Sequence, residues 1–178
     1  MNHYTMKDRL EIGDVGIQFI TPWLERKPET VAVTNVENDK RYRKLDIDLI
    51  WMYLMNNETK IVTIEVKTDS YSTTGNYFFE TVSNQGKDTP GCFLYSEADF
   101  WFYFFKDTRE LNIIPLQRAR QWFLENDKKY DFREIELKTD VGVDGYKTKG
   151  KLVSKKLLSE QVLGIKTIIL PDYFQIAG

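Results

Sequence analysis

Ile61-Val62-Thr63-Ile64-Glu65-Val66-Lys67 is an apolar, β-branched run that ends in a carboxylate and a lysine two residues apart. A strand repeats every two residues, so Glu65 and Lys67 share one face while Val62, Ile64 and Val66 share the other. The run just upstream, Leu45-Asp46-Ile47-Asp48-Leu49-Ile50-Trp51, has the same design, with acids on one face and aliphatics on the other. Asn56-Asn57-Glu58-Thr59 separates the two runs and reads as a hairpin turn. With the turn centred between Asn57 and Glu58, Glu65 lies opposite Ile50, one pleat from Asp48. The hairpin therefore gathers carboxylates and an ammonium on one sheet face.

Outward from this hairpin, residues 6–26 read as a helix, with Ile12, Val15, Phe19, Ile20 and Leu24 at near-helical spacing. Thr30 to Val36 is a β-branched run and the expected first strand. Residues 69–76 carry the Ser, Thr, Asp and Gly of a loop, and residues 77–86 read as a short helix or an extended segment. Asp99-Phe100-Trp101-Phe102-Tyr103-Phe104-Phe105 is almost wholly aromatic and reads as a central strand buried on both faces. Leu111 to Leu116 is a further strand. Gln117 to Asn126 is a helix with Ala119, Trp122 and Phe123 inward. The order of elements predicts an α/β fold with a mixed sheet, in one domain over 1–178. Residues 127–178 are expected to form a C-terminal extension. Lys147, Lys149, Lys151, Lys155 and Lys156 cluster there, with no acid between Tyr146 and Ser159. Such a cluster suits a phosphate backbone, and equally a solvated tail.

Composition narrows the chemistry. The 178 residues are 42% apolar and 29% charged, enough for one folded core. One histidine, His3, disfavours His-based zinc or iron sites and triads that use histidine as base. One cysteine, Cys92, rules out an internal disulfide and fits a reducing, cytoplasmic setting. Any metal is then expected on oxygen ligands, which favours Mg2+ or Mn2+. No apolar run approaches the ~20 residues of a membrane span. The net charge of −2 supplies no global attraction to nucleic acid.

Hydrolysis of a phosphodiester needs an activated water and neutralisation of the charge growing on the phosphate. Carboxylates that hold a divalent ion, with a lysine beside them, meet both needs. Asp48 ranks first and Asp46 second as the partner of Glu65 in binding such an ion. The Val66 carbonyl is a further ligand, and Lys67 stands beside the attacking water. Asn76 and Glu80 are secondary candidates from the following segment. Asp46, Asp48, Glu65 and Lys67 also fit a solvated hairpin face tied by cross-strand ion pairs.

With Asp48-Leu49-Ile50 followed by Glu65-Val66-Lys67, the chain resembles the PD-(D/E)XK nuclease superfamily. Ile47 stands where the usual proline would be. The resemblance covers roughly residues 8–125. It extends to Thr74-Gly75-Asn76-Tyr77-Phe78-Phe79-Glu80 and Ala98-Asp99-Phe100-Trp101, which are similar to segments of small phage and bacterial members. It implies a restriction endonuclease-like αβββαβ core, a central mixed sheet flanked by helices, and Mg2+-dependent endonuclease action on DNA. Asp48, Glu65 and Lys67 would be catalytic, and a homodimer is implied; Lys147, Lys149 and Lys151 lie beyond the resemblance and are candidate DNA contacts on their charge alone. Many members carry a further acid on the first helix. Ile17 occupies the natural match here; the candidates are Glu11 and Asp14, so that Asp14 substitutes or the site lacks that ligand. The rival expectation is a non-catalytic nucleic-acid-binding or protein-interaction module on the same fold.

Overall fold

A computed structural model describes residues 4–84, 86, 89–140 and 146–172. The short strand β1 (Tyr4–Thr5) leads into helix α1 (Met6–Glu25), then β2 (Thr30–Asn35), the single helical turn α2 (Lys40–Arg43), β3 (Leu49–Met55) and β4 (Glu58–Asp69). Next come β5 (Asn76–Asn84), β6 (Thr89–Pro90), the short α3 (Cys92–Tyr95), β7 (Phe100–Phe105), β8 (Glu110–Pro115) and α4 (Leu116–Tyr130). The chain closes with β9 (Glu134–Asp140), β10 (Tyr146–Ser154), α5 (Lys155–Gln161) and β11 (Lys166–Ile169). Among the described residues no helix is long and apolar enough to cross a membrane.

The central sheet has six strands in the order β11-β8-β7-β4-β3-β2. Its pairs are antiparallel except β4 with β7, which run parallel. The fold is therefore α/β with a mixed central sheet, as the order of elements predicted. A second sheet, β1-β9-β10-β5-β6, was not anticipated. Residues 77–86 supply its strand β5, which settles the choice between helix and extended segment for most of that stretch. The expected C-terminal extension is no appendage: β10 pairs with β5 and β11 pairs with β8, so it completes both sheets. The connection from β4 to its parallel neighbour β7 runs through β5, β6 and the four-residue α3. A long crossover helix, as in an αβββαβ core, does not make that connection.

The hairpin register differs from the expectation by one turn position. Met55 faces Glu58 and Leu49 faces Ile64, so the turn centres between Asn56 and Asn57. Both asparagines have positive φ, 53° and 64°, which is the geometry of a two-residue type I′ turn. Moving the turn centre by one residue moves the partner by two, so Glu65 lies across from Asp48 rather than Ile50. The faces are preserved, because the side-chain period is two.

The central sheet is buried on both sides. On one face Leu49, Ile64, Phe102, Phe104 and Leu111 pack against Ile20 and Leu24 of α1. On the other, Trp101, Tyr103 and Phe105 meet Tyr77 and Phe79 of β5, Phe93 of α3 and Phe123 of α4. Ala119 and Phe123 point inward as expected, and Trp122 packs half-buried against this second cluster. The β7 aromatics thus serve two cores at once, as their unbroken apolar run implied. The layers are tied by polar contacts too. Tyr103 donates its hydroxyl proton to Asp69 Oδ2 at 2.8 Å and accepts from the Phe78 N–H at 3.1 Å.

Two glycines mark close approaches. A Cβ at Gly16 would collide with Thr68 Oγ1 and press on Val66 Cγ1, so α1 seats on β4 there. A Cβ at Gly91 would collide with the backbone of Glu80 and Thr81, where Gly91 N–H donates to the Thr81 carbonyl at 2.9 Å. Gly91→Ala is expected to lower stability by about 1–3 kcal/mol, because backbone rather than a mobile side chain must yield. Gly16→Ala should cost less, since the clash is with side-chain atoms and alanine returns up to ~1 kcal/mol of helix propensity. Urea unfolding midpoints at unchanged slope measure both. A Gly91→Ala protein as stable as wild type contradicts this packing.

Candidate functional site

β4 lies between β3 and β7, with Glu65 in register with Trp101 and Lys67 with Tyr103. Ile64 and Val66 turn toward α1, so Glu65 and Lys67 turn to the opposite face. Across from Glu65 the β3 ladder ends. Asp48 donates its N–H to the Ile64 carbonyl at 2.9 Å, and its Oδ2 accepts the Val66 N–H at 2.8 Å. The Asp48 carboxylate thus replaces the backbone acceptor that the next strand residue would have offered. N–H and C=O of one strand residue point to the same edge, so the Val66 carbonyl faces this side as well.

Asp46 reaches the same place by a different route. Its backbone is left-handed, φ 54°, and lies outside β3 rather than within an extended run. Ser96 Oγ donates to the Asp46 carbonyl at 2.9 Å, and Tyr95 OH donates to Asp46 Oδ1 at 3.1 Å. The other oxygen, Oδ2, is buried with no partner, and so is Oε2 of Glu65. Glu65 is only 7% exposed. Two buried carboxylate oxygens without donors are a cost that a cation would remove.

The titration behaviour follows from this crowding. Burial, then the charges of Asp48 and Asp46, push Glu65 well above the ordinary carboxyl range. Burial and the Asp48 charge push Asp46 up to about 6. Burial also raises Asp48, against the Val66 N–H and a hydrogen bond from the protonated Glu65 carboxyl. Lys67 Nζ sits 3.3 Å from Glu80 Oε2 on β5. Burial pulls this ammonium down, but the neighbouring acidic groups of Cys92, Glu80 and Glu65 outweigh it and hold Lys67 protonated.

The structure therefore brings Asp46, Asp48, Glu65, Val66, Lys67 and Glu80 together. The order of the two aspartates changes: Asp48 commits an oxygen to the strand, whereas Asp46 keeps one free. Asn76 is not part of the group; its amide donates to the Thr74 carbonyl at 2.7 Å and closes a turn. Asp14 lies on α1, but its side chain and that of Glu11 lie outside the described residues. The lysines of β10 are matched by acids distant in sequence. Lys147 pairs with Glu136 at 2.8 Å, Lys149 with Glu134 at 3.7 Å and Lys151 with Asp127 at 2.6 Å.

Two features escaped the sequence reading. Cys92 enters the acidic group, and one ligand atom each from Asp46, Glu65 and Cys92 lie within 4.8 Å of one another. No spacing rule links Cys92 to Asp46; the crossover brings them together. The second is a basic run, Lys40-Arg41-Tyr42-Arg43-Lys44, just before Asp46. Its four cations are exposed. Arg41 pairs with Asp39 at 2.6 Å, while Lys40, Arg43 and Lys44 make no ion pair among the described residues. This signal was legible as local charge density beside a candidate ligand.

Comparison with family models, with characterised proteins and with solved structures finds no match to this chain.

The raised carboxyls fix a pH dependence for the metal-free protein. A carboxyl raised on folding binds its proton more tightly in the folded state. Its stabilisation is complete below the unfolded value of ~4 and is lost as pH climbs through the folded value. For Asp46 that loss centres on about 6. In the presence of a chelator, stability should fall by roughly 1–3 kcal/mol between pH ~4 and ~7. Glu65→Gln should flatten this fall and exceed wild type in stability at neutral pH. Urea unfolding across the pH series measures it, and a flat wild-type profile contradicts the buried acidic group.

Proposed function

We propose that this protein is a metal-dependent endonuclease that hydrolyses DNA phosphodiester bonds, on a core related to the PD-(D/E)XK nucleases. The observation that carries the reading is the meeting of two partnerless buried carboxylate oxygens, on Asp46 and Glu65, with a protonated Lys67 on the same strand face. Surface ion pairing does not account for it, since a solvated hairpin face leaves no buried oxygen without a partner.

The donor set fits a divalent ion. Asp46 and Glu65 would hold it, with Asp48 and the Val66 carbonyl at the same edge. When bound, a divalent ion there supplies a water acidified toward neutral pH and neutralises phosphate charge. Lys67 keeps its proton because acids surround it. It is placed to donate to the water or to a phosphate oxygen as negative charge develops. Glu80 orients that ammonium through the 3.3 Å contact. Asp48 is a positioning residue first, because its bond to Val66 N–H fixes the spacing of the two strand ends.

The basic run at 40–44 supports a polyanionic substrate. It is adjacent in the chain to Asp46, and three of its cations have no acidic partner among the described residues. Lys147, Lys149 and Lys151 remain secondary contacts, since an incoming phosphate must compete with Glu136, Glu134 and Asp127.

Purified protein should cleave plasmid, branched or single-stranded DNA with Mg2+ or Mn2+. Glu65→Gln, Asp46→Asn and Lys67→Ala should each slow cleavage by about 10²-fold or more. Binding without cleavage by wild type would replace the enzyme with a non-catalytic module. Neither binding, cleavage nor metal uptake would remove both.

The triple change Lys40→Ala, Arg43→Ala, Lys44→Ala should weaken DNA binding and reduce the salt slope by ~2–3. The same change at Lys147, Lys149 and Lys151 should reduce it less. Fluorescence anisotropy titrations over a salt series measure both, and the reverse order would reassign the DNA-binding face.

A further inference from the structure

The sequence led to an all-oxygen metal site. The structure sets a sulfur beside the carboxylates: Sγ of Cys92 lies within 4.8 Å of ligand oxygens of both Asp46 and Glu65. We propose that Cys92 is the third protein ligand of a mixed oxygen–sulfur centre, which takes a thiophilic divalent ion such as Zn2+ or Co2+ in preference to Mg2+. This rests on reading the same acidic pocket as a metal site.

A cysteine near acids would mean little by itself. The second observation is on a member of this trio: Glu65 is only 7% exposed, and its Oε2 is buried with no partner. Asp46 Oδ2 is likewise buried and without a partner. Three donor side chains within 4.8 Å, two of them carrying a buried oxygen without a partner, describe a ligand set rather than a surface cluster.

Cys92 is also held firmly. Gly91 packs on the Glu80 backbone and bonds Thr81. Phe93 is fully buried, with its ring 4.0 Å from that of Phe79. Arg120 reaches from α4 to bond the Phe93 carbonyl at 2.8 Å and the Ser96 carbonyl at 2.6 Å. The residues before and after Cys92 are thus fixed to β5 and α4, and the thiol has little freedom to leave the acids.

The chemistry selects the ion. Mg2+ demands hard oxygen ligands and keeps its waters, whereas zinc accepts sulfur with carboxylate oxygen. Three protein ligands leave one tetrahedral position for water, the arrangement of catalytic zinc sites. On binding, the Cys92 S–H bond breaks and its proton goes to solvent, together with any proton still held by the Glu65 and Asp46 carboxyls, and the sulfur lone pair forms the bond to the metal. Lys67, on the same face, balances part of the negative charge that three anionic ligands bring.

The test uses the whole protein, reduced and metal-free, titrated anaerobically with Co2+. Cys92 is the single cysteine of the chain, so a thiolate-to-cobalt charge-transfer band in the near ultraviolet reports this residue alone. Wild type should show the band at saturation. Cys92→Ser, and Cys92→Ala if the serine protein fails to fold by circular dichroism, should lose it and bind Co2+ on the order of tenfold or more weaklier. Mg2+ binding should be unchanged in both. A folded wild type with no band at Co2+ saturation overturns the proposal, as does undiminished Co2+ affinity in the Cys92 variants. Parallel cleavage assays separate it from the nuclease reading. Mg2+-supported cleavage that Glu65→Gln abolishes, without a cobalt–thiolate band, removes Cys92 and keeps the nuclease. The band without cleavage by any ion keeps the metal centre and removes the nuclease.

Discussion

The burial of Glu65 on a central strand is the constraint from which the rest of the site follows. β4 has neighbours on both edges, β3 and β7, and covered faces above and below. A carboxylate there is largely withdrawn from bulk water, so it is driven to keep its proton or find a cation. The energetic cost is sustained by the strand beside it. Trp101, Phe102, Tyr103, Phe104 and Phe105 of β7 are at most 1% exposed and bury apolar area on both faces of the sheet. The acidic group is therefore a strained feature held in place by an aromatic core, which is how preorganised sites are usually sustained.

The second sheet decides what surrounds that carboxylate. β5 carries Glu80 to Lys67, and the turn after β6 carries Cys92 to Asp46 and Glu65. Its position against the central sheet is set by polar contacts as well as by packing. Tyr77 OH donates to Asn112 Oδ1 at 3.0 Å, and Thr167 Oγ1 donates to the same oxygen at 2.8 Å. Glu110 then joins Asn112 to Lys155 of α5. Strands β5, β8 and β11 and helix α5 are fixed together by one buried amide and its neighbours. Because such a network must be satisfied completely, it specifies one docking of the layers where apolar packing alone would allow several.

Charge is arranged on two scales. Within the pocket, like charges are crowded and one ammonium is trapped among them. At the surface, the lysines of β10 are neutralised by partners on β9 and α4, while the run at 40–44 is left largely unmatched beside Asp46. A linear reading weighted the first group because no acid is near it in the chain. Folding supplied the acids from β9 and α4, and left Lys40, Arg43 and Lys44 without an ion pair among the described residues.

Local periodicity was enough for much of this molecule. Helix α1, strands β2, β4, β7 and β8, helix α4 and the inward set Ala119 and Phe123 all follow from spacing and apolar pattern. So does the shared face of Glu65 and Lys67, because a two-residue repeat survives any error in the turn. The register did not follow. Asn56 and Asn57 both adopt positive φ, and that choice of turn centre, not the strands, sets Asp48 across from Glu65. Nor did the second sheet, since β10 finds its partner β5 far back in the chain and β9 joins the sheet through β10. The sequence by itself determined that two acids and a lysine would share a strand face, because alternation is a local property of the backbone. Only the tertiary structure decided that Asp46 would keep a free oxygen, that Glu80 would hold Lys67 and that Cys92 would join the acids. Those contacts join residues far apart in the chain, and their geometry is set by how the layers pack.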